Sequence, residues 1–253
     1  MACMKALLIS LLLALTAPAA ACAAACPQFG PGGVAPVVTN PKLAVRTMPL
    51  CYSDFGVLHS GITHGPLWSA EHLTRTGLQA AKRNSRTNNF YEEASLPPAD
   101  RARLSDYRRS GYDRGHMSPA GDRSTMQAMS ESFSLANMVP QDRENNRHQW
   151  SKIEQAVRRL GLLSGEVYVV TGPLFIGQRL QTIGASHVFV PTQLFKVVYV
   201  PSRREAFAVV IDNDADAVAQ FKTVRELESL AGLSFPGIPD ALKDQRRGDL
   251  RGI

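Results

Sequence analysis

The residues best equipped for chemistry stand together at Tyr112-Asp113-Arg114-Gly115-His116-Met117-Ser118-Pro119-Ala120. Four consecutive positions bring an acid, a guanidinium, a glycine and an imidazole, and a Ser-Pro turn signal closes the run. The arginine offers a planar fork of donors that suits phosphate. The histidine titrates near neutrality when unperturbed, so it can take a proton from water. The glycine is expected to let the backbone bend where a substrate comes close. Taken alone, the tetrad also reads as a turn with a salt-bridged Asp–Arg pair and a surface histidine.

A second group runs from Asn137-Met138-Val139-Pro140-Gln141 through Asn145-Asn146-Arg147-His148-Gln149-Trp150 to Glu154. A helix is expected from about Asn146 to Leu160, because Ile153, Ala156, Val157 and Leu160 fall at i, i+3, i+4 and i+7 and make one buried stripe. On that helix Asn146, Trp150 and Glu154 span an arc of about 80° at 100° per residue, beside the stripe. An amide and a carboxylate then lie two turns apart on one edge of the buried face. An Asn carbonyl is a hard, neutral ligand that suits Mg²⁺, a metal that keeps most of its waters and takes few protein ligands. From the helix alone, an N-capping Asn and a solvated Glu explain the pair more simply.

The elements that must carry these residues are legible in outline. Short apolar stretches from Lys42 to Leu73 read as strands near one edge of a sheet, and Ser105 to Gly111 as a helix-to-turn passage into Asp113. A short helix is expected at about Ser124 to Ser132. Strand signals return at Glu166 to Thr171, and at Leu194 to Val200 and Ala206 to Ile211, which flank a hairpin turn at Pro201-Ser202-Arg203-Arg204. Thr223-Val224-Arg225-Glu226 is a capping box, with Gly232 a helix stop. There is no internal repeat and no second domain boundary.

At 253 residues the chain can bury one substantial core. Residues 1–25 read as a signal peptide, with Lys5, an apolar run from Ala6 to Leu15 and Ala-x-Ala patterns ending at Ala19, Ala21 and Ala25. That run is too short to span a bilayer, and the protein is expected to be secreted or periplasmic. Cleavage near Ala25 keeps Cys26 and Cys51, which are expected to pair as a disulfide in an oxidising compartment. A lipid anchor on Cys22 or Cys26 is the alternative, against which the alanines before each argue. Residues 26–50, rich in Pro and Gly, read as an extended arm, and 51–253 as a single domain. A formal charge of +6 suits a polyanion without naming one. The other histidines lack acidic neighbours at ligand spacing, which argues against zinc.

Together the segments Asp113-Arg114-Gly115-His116, Asn137-x-x-Pro140-Gln141 and Asn146-x-x-x-Trp150-x-x-x-Glu154 resemble the DNA/RNA non-specific endonuclease family of secreted ββα-metal nucleases. Arg86-x-x-x-Phe90, Pro66-Leu67-Trp68 through Leu73-Thr74, and Val169-x-Thr171-Gly172-Pro173 are similar to that family's flanking blocks, over roughly residues 50 to 235. The resemblance implies an α+β fold, a mixed, mainly antiparallel sheet with helices and a ββα-metal element, so that 51–253 is one nuclease domain. It implies His116 as the general base, Asn146 as the protein ligand of one Mg²⁺ ion, and Glu154 as a carboxylate that holds a water of the metal's shell or orients a neighbouring arginine. Arg86 and Arg114 become phosphate-side arginines and Asn137 an amide lying against the site. The doublet Asn145-Asn146 leaves the register open by one residue, although Trp150 and Glu154 favour Asn146.

Hydrolysis of a phosphodiester needs an activated water, positive charge for the phosphorane and help for the departing oxygen, which these residue types can supply. The expected activity is Mg²⁺-dependent cleavage of DNA and RNA with little sequence preference. Two other readings stand beside it: a basic nucleic-acid-binding protein that has lost turnover, and a phosphodiesterase for another phosphate ester.

Overall fold

The structure, a computed structural model, describes residues 26–249; the signal peptide expected over 1–25 lies outside the described residues. In chain order, β1 (Val37–Val38), β2 (Thr47–Cys51), β3 (Gly56–Ser60) and β4 (Gly65–Thr74) lead into α1 (Arg75–Ala81). A single turn, α2 (Leu104–Tyr107), delivers the chain to β5 (Asp113–His116), and α3 (Met126–Glu131) separates β5 from β6 (Met138–Gln141). A π-helical stretch over Asn145–Trp150 runs directly into α4 (Ser151–Ser164). Then come β7 (Glu166–Leu174), the small hairpin β8 (Thr182–Ile183) and β9 (Val188–Phe189), β10 (Gln193–Val200), β11 (Glu205–Asp212), β12 (Gln220–Lys222), α5 (Val224–Ala231) and β13 (Leu233–Ser234).

The fold is α+β, as expected, and is organised on a seven-stranded sheet in the order β12-β11-β10-β7-β4-β3-β2 with every neighbour antiparallel. Side chains alternate faces along a strand, so one run of apolar residues serves two cores. Val170, Val197, Ala208 and Val210 face α5, whose Val224 and Leu227 they bury. Val169, Val198, Val209 and Ile211 face α4, meeting Trp150, Ile153, Val157 and Leu160. The helical stripe read from the sequence is this second contact. Thr223 caps α5 in a reciprocal box with Glu226, and Gly232 ends it at φ 64°.

The N-terminal arm is docked against the domain. β1 pairs with β13, Thr39 and Asn40 donate to the Gly232 carbonyl, and the Cys26–Cys51 disulfide ties the start of the arm to β2. β2, at the end of the arm, belongs to the sheet from Thr47.

Candidate active site

A second, two-stranded unit stands beside the main sheet and carries the tetrad. β5 and β6 pair antiparallel, with Asp113 opposite Gln141, Arg114 opposite Pro140, Gly115 opposite Val139 and His116 opposite Met138. Gly115 has a different role from the one its flexibility suggests. It lies in a strand, and a Cβ there would meet Gln141 Oε1 at 2.1 Å, so the missing side chain makes room for Gln141. That amide in turn donates to Asn145 Oδ1 at 2.8 Å, which ties the strand pair to the start of the helix. Strand pair and helix form the expected ββα element.

The helix begins one turn too wide for the spacing read from the sequence. Asn145 is fully buried, and its side chain is committed to Gln141 and to the Asp212 carbonyl at 2.8 Å. Accommodating it within the helix start coincides with the π-helical stretch, a form found mostly as single turns. The arc of about 80° at 100° per residue consequently does not describe the site. Trp150 turns into the core, 1 % exposed, where the Lys196 ammonium lies 4.9 Å from its ring centre. Asn146 and Glu154 remain on a cavity of about 360 Å³ together with Arg86, Arg114, His116, Pro119, Ala120, Gly121, Arg147 and Arg158.

Asp113 does not pair with Arg114, as a salt-bridged turn would have it. It holds Arg147 with two bonds of 2.9 and 3.0 Å and accepts the Asn146 amide nitrogen at 3.1 Å. Asn146 lines the cavity together with Glu154, and its bond to Asp113 uses the amide nitrogen and not the carbonyl oxygen. Hard oxygen donors in small number fit a Mg²⁺-like cation that retains most of its waters. Among the described residues, no group of three or more His, Cys, Asp or Glu side chains could hold a metal, so a site for one would depend on few protein ligands.

Two phenylalanines set the imidazole and the arginines. Phe133 meets the His116 ring edge-on at 5.0 Å, Phe90 lies 5.7 Å away, and the two phenyl rings pack edge-to-face at 4.9 Å. Arg86 stands over Phe133 at 5.1 Å and Arg114 over Phe90 at 4.1 Å. His116 is buried, and its enclosed Nε2 has no partner among the described residues. Burial, with the charges of Arg86, Arg123 and Arg114, pushes its pKa down to about 3. The ring is neutral at pH 7, as a base must be. Burial pushes Glu154 the other way, up to about 7, against the pull of Lys196 and Arg158.

Of the site residues read from the sequence, His116, Arg114, Arg86, Glu154 and Asn146 share the cavity, and Asn137 does not. Asn137 is wholly buried. Its Oδ1 accepts from Ser69 Oγ and Ser118 N at 2.9 Å each, and its Nδ2 donates to the Ser118 and Ser132 carbonyls. It fixes the backbone after His116 and has no hydrogen bond left for a substrate. Arg158 and Arg147 were not singled out by the sequence reading. The signal for Arg158 was its place four residues after Glu154, on the same helix face.

Residues 37–241 match the model of the family described as DNA/RNA non-specific endonuclease. The chain belongs to that family. The match extends beyond both limits of the resemblance read from the sequence, as the docked arm and β13 would suggest. Relatives include a nuclease of Syncephalastrum racemosum, 38 % identical over 66 % of this chain and 61 % of that protein. The mitochondrial nuclease EXOG of Homo sapiens is 32 % identical over 73 % of this chain and 56 % of its own length. Against the zebrafish EXOG the chain spans 41 % of the relative, so it covers less than two thirds of each of these three. Among solved structures, one titled as the EndoG/EndoGI complex superposes with a TM-score of 0.70 at 31 % identity, covering 77 % of this chain and 88 % of that one.

These relatives correct one expectation. EXOG from fish and human, bovine endonuclease G and the matched nucleases of Schizosaccharomyces pombe and Saccharomyces cerevisiae are all named mitochondrial. They point away from the secreted or periplasmic location, which rested on residues outside the described part of the chain. Among the described residues no helix is long and apolar enough to cross a membrane.

Proposed function

We propose that this endonuclease-family chain hydrolyses phosphodiester bonds of DNA and RNA with little base preference, using one Mg²⁺ ion, His116 as general base and Asn146 as the protein ligand of the metal. The observation that carries the reading is the convergence of a neutral imidazole, an unused amide oxygen, one carboxylate and four arginines on a single cavity. Arg86, Arg114, Arg147 and Arg158 give that cavity the positive character that collects a polyanion. The contacts they offer go to phosphate, which positions a nucleic acid without reading its bases.

His116 would take the proton of the attacking water, as a neutral imidazole lining the cavity can. Its low pKa comes partly from Arg86 and Arg114. A phosphodiester seated between those guanidinium groups offsets their charge and so strengthens the base when substrate is in place. Glu154, near Arg158, would hold a water of the metal's shell or orient that neighbouring arginine. The cation, when bound, supplies positive charge for the phosphorane and the leaving oxygen. Asn146 is presented for that ion by Asp113, which takes up the amide nitrogen and leaves the carbonyl oxygen free.

The test is the rate of plasmid nicking against Mg²⁺ concentration, with EDTA as the blank, for the parent and three variants. His116→Ala should lose about 10²–10⁴-fold in rate, the usual worth of general acid–base catalysis, with metal dependence unchanged. Asn146→Ala should shift the metal dependence and recover in part at high Mg²⁺. Asn145→Ala, a residue buried away from the cavity, should leave the metal dependence alone. If the His116 variant moves the metal dependence and the Asn146 variant does not, the roles are wrongly assigned.

A further inference from the structure

Behind the cavity wall lies an ion pair that does not itself line the cavity. Arg123 and Glu71 are 0 % and 2 % exposed, and their side chains are in direct contact. Two charges taken out of water lose several kcal/mol of hydration each, and an apolar pair of similar volume is often as stable. Stability alone therefore gives no reason for this pair.

What the pair holds is the chain that follows His116. Arg123 donates from Nε to the Pro119 carbonyl at 3.2 Å and from Nη1 to the Asp54 carbonyl at 2.9 Å, while Nη2 meets Glu71. The same Glu71 oxygen accepts from Ser118 Oγ at 2.9 Å. Pro119, Ala120 and Gly121 form one wall of the cavity. The far end of the clamp is itself fixed, since Arg123 lies 5.2 Å from the Phe55 ring centre and Asp54 accepts from both N and Oγ of Ser124. Among the described residues, no hydrogen bond to a carboxylate orients the His116 ring. Its placement depends on the two phenyl rings and on the backbone that leaves it.

We propose that Glu71 and Arg123 are positioning residues: through Ser118 and Pro119 the buried pair fixes the 117–121 wall, and with it the placement of His116 against a phosphodiester. The proposal rests on the reading of His116 as the base. Asn137 holds the backbone of Ser118 from one side and Glu71 its hydroxyl from the other, so the residue two positions after His116 has no freedom left. Arg123 cannot be replaced by lysine in this role, because its three bonds leave in three directions from one planar group.

The experiment compares Ser118→Ala, Glu71→Gln, Arg123→Lys and the double variant Glu71→Gln/Arg123→Met with the parent. It reads kcat, KM and Mg²⁺ half-saturation on plasmid DNA, thermal melting, and the His116 imidazole ¹⁵N resonance. Displacing a catalytic group by about 1 Å can lower a rate by about 10²-fold. A fall of that order is expected in kcat for Glu71→Gln, Arg123→Lys and the double variant, and a smaller one for Ser118→Ala. KM and Mg²⁺ half-saturation should stay within about twofold. Folded variants with the parent's kcat would overturn the proposal, as would a loss of kcat matched by a shift in Mg²⁺ half-saturation. Should the charge variants fail to fold, Ser118→Ala decides by the same readings. If the parent cuts no nucleic acid, the functional reading fails by itself. The clamp is then judged by the resonance, which moves in Ser118→Ala if the proposal holds and stays fixed if it does not.

Discussion

Glu154 should make the protein less stable at alkaline pH, and Glu154→Gln should remove that penalty. Burial holds the folded-state pKa at about 7, up from 4.5, with Lys196 and Arg158 already opposing the shift. The sign follows from proton counting. Between those two values the folded state binds more protons than the unfolded one, so stability is full below about pH 4.5 and is lost as pH rises through about 7. The difference is about 2.5 units at about 1.4 kcal/mol each, or about 3.5 kcal/mol for a fully enclosed carboxylate. Glu154 keeps some contact with the open cavity, so screening trims this to about 2 kcal/mol. Urea unfolding in EDTA should show Glu154→Gln more stable than the parent by about that amount at about pH 8, and nearly equal to it at about pH 4.5. Mg²⁺ should narrow the gap at high pH, because a cation near the carboxylate stabilises only the folded parent. A Gln variant no more stable than the parent at pH 8, or stabilised equally at both pH values, would refute the argument.

Gly115→Ala should disturb the strand pair, since its Cβ would fall 2.1 Å from Gln141 Oε1 and 2.6 Å from Gln141 Cβ; a loss of about 1–3 kcal/mol is expected in urea unfolding, and unchanged stability would count against the packing reason. Reducing Cys26–Cys51, which closes a separation of 25 residues, should lower stability by roughly 3 kcal/mol in the chain-entropy model. Two alkylatable thiols in the unreduced protein would show that the bond does not form. Binding of the inactive His116→Ala protein to duplex DNA should weaken with salt by about 0.9 log units per neutralised phosphate, and Arg114→Ala should lower that slope by about one contact. A slope unchanged by Arg114→Ala would remove that arginine from the phosphate contacts.

How far the site could be read from the sequence depended on what each residue interacts with. His116 and Arg114 are contiguous, and Asn146 and Glu154 share one helix, so spacing alone brought them near one another. The fold's apolar periodicity was equally open: the stripe from Ile153 to Leu160 is buried as a helical period requires, and Thr223 and Gly232 bound α5. What spacing could not give is the path of a buried polar side chain. Asn145 and Asn146 are chemically identical neighbours, and only the tertiary partners of Asn145, on β6 and at the end of β11, decide which of the two is free. The same partners accompany the wide first turn that displaces Trp150 from the arc expected of it. Asn137 was read as an amide lying against the site, and what it does there was hidden for a related reason. A fully bonded asparagine and a substrate-binding one have the same sequence signature, and only the count of occupied donors and acceptors separates them. Glu71 and Arg123 gave no signal because they lie 52 positions apart, the glutamate in a strand that is mostly buried. A charged residue buried in a strand, as Glu71 is and Lys196 is, is a place where the local pattern disagrees with burial. Such disagreements are expected where a chain gives up stability for function, which is why the buried pair, rather than another apolar contact, is the place to look for what holds His116.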